Sequence, residues 1–126
     1  MIRKLIGDDT KVYLACGPTD FRKQIDSLIM LVSDKFNLNA YESGAMFIFC
    51  NKKKNSIKIL CYDRNGFLLA QKKLLSKYEG KFKWPKDSEE AMEISNQQVN
   101  WLLQGLGVNQ KKAFKDRVLE EKNIVF

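Results

Sequence analysis

The chain contains no histidine, and this absence narrows its chemistry more than any residue it holds. Histidine is the side chain most often used as a general base near neutral pH, and it is the commonest metal ligand. Ser-His-Asp and Cys-His nucleophilic sites and His-Glu-x-x-His zinc sites are therefore impossible. Cysteine is scarce: Cys16, Cys50 and Cys61 form an odd set with no Cys-x-x-Cys pair. Neither a disulfide scaffold nor a zinc site is expected, and reduced, buried thiols in a cytoplasmic protein are. With two prolines and seven glycines in 126 residues, no linker or collagen-like stretch exists. No apolar run approaches the ~20 residues that span a bilayer, and Met1 to Asp9 carries too little apolar sequence for a secretory signal. No membrane partner is expected. There is no P-loop and no Gly-x-Gly-x-x-Gly phosphate cradle, so no cofactor is expected either.

What the chain does have is charge. The apolar share of 44% and charged share of 29% are those of a soluble globular protein. Residues 1–107 read as a single domain, followed by a charged C-terminal helix or arm over 108–126. The whole chain carries +7, yet Cys50 to Lys86 alone holds eleven basic residues against Asp63 and Glu79. That segment is +9 and the remainder −2. A localised positive field attracts a polyanion, so nucleic acid is the first partner to consider. The competing reading is a solvated lysine-rich surface with lysines guarding strand edges.

The hydrophobic pattern gives an α+β fold: an antiparallel β-meander packed against an N-terminal helix, with one or two C-terminal helices. Lys11 to Cys16 reads as a buried strand, stopped by Gly17-Pro18. Thr19 reads as the cap of a helix running from about Asp20 to Phe36, with Asp20 in its first turn. Phe21, Ile25, Leu28, Ile29, Val32 and Phe36 form its apolar face. Ala45 to Cys50, Ile57 to Tyr62 and Phe67 to Leu74 are three strands. The first two are joined by the basic tip Asn51 to Ser56, the last two by an Asn65-Gly66 turn. Neither of the last two strands has a purely polar face, so the second face of the meander should be partly covered, by neighbours of the N-terminal strand or by a partner. Ser95 and Gln98 fit a capping box, with Val99, Leu102, Leu103 and Leu106 as the apolar face of a second helix that Gly105 or Gly107 ends.

Lys81-Phe82-Lys83-Trp84-Pro85-Lys86 interleaves cations with aromatics. This spacing suits phosphate contacts beside a stacking platform, and it equally suits two aromatics closing the core while the lysines stay wet. Carboxylate trios that hold two metal ions cut and join DNA in some enzymes. Asp20, Asp63 and Glu79 are the obvious trio, but Asp20 is explained by a helix start, Asp63 by its turn, and Glu79 lies in a basic loop. No acid sits mid-strand, and neither a metal site nor a catalytic residue is expected.

Several motifs together resemble a known family. Gly17-Pro18-Thr19-Asp20-Phe21-Arg22-Lys23 resembles its G-x-T-D-M-R-K signature, with Phe21 in place of Met. Phe47-Ile48-Phe49 and Asn51-Lys52-Lys53-Lys54 resemble its F-V-F strand and basic hairpin tip. Ile57 to Asp63, then Gly66-Phe67, is similar to I-K-L-L-x-W-D…G-F, with Tyr62 for Trp. Lys72-Lys73-Leu74, Gly80 to Pro85, and Trp101-Leu102-Leu103 with Gly105 resemble K-R-L, G-x-F-x-W-P and the closing L-L-x-G. The resemblance is to the TnpB (second open reading frame) accessory proteins of insertion-sequence-66-type transposable elements, and it runs from Val12 to Gly105. It implies a non-catalytic accessory factor of transposition, encoded beside a separate transposase that carries the catalytic acids.

The expected partners are therefore element-end DNA, the transposase, or both. The residues expected to contact nucleic acid are Arg22, Lys23, Lys52, Lys53, Lys54, Lys58, Arg64, Lys72, Lys73, Lys81 and Lys83, with Trp84 stacking. For Arg22 the structural alternative is an ion pair with Asp26 one helical turn on. The alternative for the whole chain is a protein-interaction module with no direct DNA contact.

Overall fold

The computed structural model describes residues 7, 9–75, 81–86 and 90–109. The expected C-terminal arm beyond Asn109 and the acid Glu79 lie outside the described residues. In chain order the elements are β1 (Lys11–Ala15), α1 (Ile25–Asp34), β2 (Ala45–Cys50), β3 (Ser56–Asp63), β4 (Gly66–Lys73), β5 (Ala91–Ile94) and α2 (Asn96–Leu103). The strands form one sheet in the order β4-β3-β2-β1-β5. The fold is α+β, with a largely antiparallel sheet. The β2-β3-β4 meander stands as the alternation suggests. Beside it, β1 pairs parallel with β2, aligning Val12 with Met46 and Leu14 with Ile48. A parallel pair needs a crossover, and α1 supplies it. The edge strand β5, antiparallel to β1, is an addition to the expected architecture.

All six residues of β2 are buried, because both faces of the sheet are covered. Phe47, Phe49 and Leu60 pack with Leu28 and Val32 of α1. On the other face Met46, Ile48, Ile57 and Ile59 pack with Val99 and Leu102 of α2 and with Phe82 and Trp84. Each such side chain contributes about 1.5–3 kcal/mol relative to leaving it in water. The second cover, expected only in outline, is thus α2 together with the aromatic segment. Cys50 is buried under it, and desolvation pushes its thiol up to about 11. Such a thiol is almost wholly protonated at neutral pH and a poor nucleophile.

Helix α1 starts five residues later than its pattern suggests. Asp20 shapes a turn instead: its carboxylate accepts from the Arg22 backbone N–H at 2.9 Å and its carbonyl from that of Lys23 at 3.1 Å. The carbonyls of Phe21 and Lys23, which a helix would use internally, accept hydrogen bonds from the Lys58 ammonium. Gln24 becomes the N-cap, without a side-chain cap bond. Thr19 does not cap a helix; it is buried, and its N–H donates to the Cys50 carbonyl at 2.8 Å. The apolar face is nevertheless the expected one, with Phe21, Ile25, Ile29 and Phe36 packed against the same core.

Helix α2 has both ends as read. The Ser95 hydroxyl accepts from the Gln98 N–H, and the Gln98 side chain accepts from the Ser95 N–H. At the other end Gly105 has φ +83°, while the N–H groups of Gly105 and Leu106 reach back to Leu102 and Trp101. That is the paired 5→2 and 6→1 bonding of a Schellman end, which needs a left-handed residue.

Candidate nucleic-acid interface

The cations gather where β1 and β2 end, β3 begins and β4 ends. The β2–β3 tip is held by Asn51. Its side-chain oxygen accepts from the N–H groups of Asn55 and Ser56, and its NH₂ donates to the Asn55 side chain at 2.7 Å. Lys54 takes φ +61°, closing the loop. Lys52 and Lys53 are exposed on it. Next to the tip, the 81–86 segment crosses the sheet end. Phe82 N–H donates to the Lys54 carbonyl, and the Pro85 carbonyl accepts from Gly17 N–H, both at 2.8 Å. Alternation along this segment buries Phe82 and Trp84 and leaves Lys81 and Lys83 exposed, and Lys86, after Pro85, is exposed as well.

Two open clefts flank the tip. On the α1 side a cleft of about 760 Å³ is lined by Arg22, Lys52, Lys53 and Lys73, and its one acid is Asp20. On the α2 side a cleft of about 640 Å³ is lined by Lys54, Lys81, Lys83 and Lys86. Eight of the cations in the strongly basic region and its preceding turn thus share one end of the sheet. Lys86, left out of the sequence-based set, belongs here. Its signal was its place in the same short basic segment as Lys81 and Lys83, just past Pro85.

Arg22 is 92% exposed in its side chain and tied to Asp20. Its Nε lies 3.1 and 3.0 Å from the two carboxylate oxygens, and its Nη2 lies 2.6 Å from one of them. The ion-pair partner is therefore Asp20, not Asp26. The Arg22 hydrogen bonds hold the Asp20 carboxyl at about 2, so it is charged at every ordinary pH. What this pairing adds to folding is complete above about pH 4 and fades as the pH falls through about 2. A guanidinium has five N–H donors in a planar fork, so Arg22 keeps donors for an anion while Asp20 orients it over the cleft.

Five expected contacts read differently in the structure. Lys58 is 3% exposed. Its ammonium donates to the Phe21 carbonyl at 2.9 Å and the Lys23 carbonyl at 2.8 Å, and lies 4.9 Å from the Phe21 ring centroid. Burial lowers its pKa, and it holds the Asp20–Lys23 turn against the sheet instead of facing solvent. Trp84 is 5% exposed and its Nε1 donates to the Ala15 carbonyl at 2.8 Å. It is a core residue, with no open ring face for stacking on the surface. Arg64 sits in the β3–β4 turn at the opposite end of the sheet, with φ +56°. Lys72 pairs with Ile57 and Lys73 with Ser56, on opposite faces of β4, so only Lys73 enters the α1-side cleft. Lys23 is half-buried in the turn that Lys58 anchors.

Asp20 and Asp63 are separated by the length of β2, about 20 Å at 3.3 Å per residue. They do not converge on one metal ion, and among the described residues no cluster of His, Cys, Asp or Glu could hold one.

The molecule is thus a small α+β protein that collects its cations at one end of a sheet, around a basic hairpin. It belongs to the family of IS66 Orf2-like proteins, whose family model matches residues 10–113. Two uncharacterized proteins of Sinorhizobium fredii are similar to it. The protein y4hO is 32% identical over 100 residues, covering 79% of this chain and 84% of its own length. The protein y4jC is 29% identical over 96 residues, covering 76% and 79%. No solved structure matches the chain. The family places the protein in insertion-sequence transposition, in an accessory role.

Proposed function

We propose that the protein is a non-catalytic accessory factor that binds DNA of the element's ends through the basic end of its sheet, acting in the cytoplasm beside the transposase. The observation that carries this reading is the convergence of Arg22, Lys52, Lys53 and Lys73 on one cleft and Lys54, Lys81, Lys83 and Lys86 on its neighbour. Lysines that served only for solubility would have no reason to line two adjoining concavities. Phosphate contacts position a duplex without reading its sequence, which suits a factor whose specificity is shared with a transposase. Among the described residues no helix is long and apolar enough to cross a membrane.

Binding to duplex DNA of the element end, measured by fluorescence anisotropy across a range of salt, tests the proposal. Six to eight phosphate contacts give a slope of log affinity against log salt of roughly −5 to −7. Asp20→Asn, which removes the one acid of the α1-side cleft, should tighten binding about two- to fivefold at low salt. A flat salt dependence contradicts phosphate contact at this cleft.

A second reading, docking of the transposase, has its own support in β4. This strand forms an edge of the sheet, with Leu68 47% exposed and Tyr41 nearby at 55%. Edge strands offer unpaired backbone groups to a partner. The two readings use different surfaces and are compatible.

A further inference from the structure

Between the two basic clefts lies a smaller, more enclosed cavity of about 170 Å³. Its walls are Gly17 and Pro18 on one side and Trp84 and Pro85 on the other. We propose that this cavity receives one unpaired base of a DNA strand whose phosphates rest on Lys52, Lys54 and Lys86. The proposal rests on the DNA-binding reading above and adds a preference for unpaired strand.

Size is the first reason. A protein cavity of about 150 Å³ accepts benzene. A single nucleobase therefore fits here, whereas a base pair is excluded. Chemistry is the second. The walls are two proline rings, a glycine and part of an indole, a surface that suits the face of a planar ring. Asn51 is the polar side chain at the cavity, and its amide is already engaged with Asn55 and Ser56. Recognition is therefore by shape and stacking, with little hydrogen-bond readout, as in other single-strand binders. The three cations are the third reason. Lys52, Lys54 and Lys86 line the same cavity, so a ring attached to a sugar-phosphate chain is favoured over a free aromatic molecule.

The cavity is also built in advance. The Gly17 N–H to Pro85 carbonyl bond ties its two walls together, and the Trp84 Nε1 to Ala15 carbonyl bond fixes the indole. Gly17 has φ +75°, a conformation that L side chains rarely adopt, so the wall's path depends on glycine. A preformed site loses little on ordering.

Anisotropy with labelled twelve-residue oligomers of thymidine, deoxyadenosine and abasic backbone, and with a duplex, tests this at one fixed salt concentration. The thymidine and deoxyadenosine oligomers should each bind about tenfold tighter than the abasic oligomer, the scale of one stacked base. Pro18→Trp, which sets a bulky ring at the mouth, should erase that preference and leave the salt slope unchanged. Equal affinity for all three single strands would overturn the base site alone, with phosphate binding intact. Salt-independent or absent binding of every oligomer and of the duplex would overturn the DNA-binding reading and this one together.

Discussion

Replacing Lys52, Lys53 and Lys54 together by alanine should lower affinity for duplex DNA about a hundredfold at low salt and flatten the salt slope by roughly three units. Each lysine on a phosphate releases about one counterion, and its loss removes about one unit of slope. The tip should stay folded, because its shape comes from Asn51 and the Lys54 backbone, which the change leaves in place. Alanine also adds no strain at Lys54, where a β-carbon already tolerates φ +61°. Arg64→Ala is the matching control. It removes one positive charge from the opposite end of the sheet and should change affinity less than about twofold. Equal losses from Arg64→Ala and from any single tip lysine would mean that net charge matters and the clefts do not.

The second large effect is on stability, from a residue that touches no ligand. Lys58→Met keeps the apolar stem but removes the ammonium that serves the Phe21 and Lys23 carbonyls. Two opposing terms apply. Removing a buried charge recovers its desolvation cost, which alone could make the change neutral. Against this, two carbonyls lose their partner in a part-buried setting, at about 1–3 kcal/mol for each group left unsatisfied. The carbonyls should dominate, because β3 and the turn are both fixed and neither can swing to water without losing the core contact of Phe21. The expected loss is about 1–3 kcal/mol, or roughly 5–12 °C in Tm for a domain of this size. DNA affinity should fall as well, although Lys58 is buried, because the turn carries Arg22. An unchanged Tm would show that the Lys58 contacts are dispensable.

The structure also shows why some of the fold was legible and some was not. The apolar face of α1 could be read because helical spacing survives from Phe21 to Phe36, even though the helix proper is Ile25–Asp34. Its late start could not, because the competing donor, Lys58, lies more than thirty residues away. Lysine is almost never fully buried without a partner, so a basic segment gave no hint that one member faces inward. The ends of α2 were legible because a capping box and a glycine end are local codes. Strand β5 was not: Ala91-Met92-Glu93-Ile94 is four residues long and pairs with β1, far off in sequence. Trp84 shows the same limit. The alternation of Lys81 to Lys86 allowed either a stacking surface or a core edge, and its bond to Ala15, 69 residues away, decides for the core.

Of the candidate site, the hairpin tip and the Gly17–Lys23 turn were visible as motifs, but their meeting was not. It follows from β1 and β2 being parallel: the turn after β1 and the tip after β2 then emerge at the same end of the sheet. Arg64, equally basic in sequence, leaves at the other end because β3 runs back.

That placement is the central claim, and lysine acetylation read by mass spectrometry, with and without bound element-end duplex, measures it directly. Lys52, Lys53, Lys54, Lys73, Lys81, Lys83 and Lys86 should be protected by DNA, while Lys11 and Lys35, which belong to the opposite end, should label as in the free protein. Binding that protects Lys11 and Lys35 as strongly as the hairpin tip, or that leaves the tip lysines fully reactive, would contradict it.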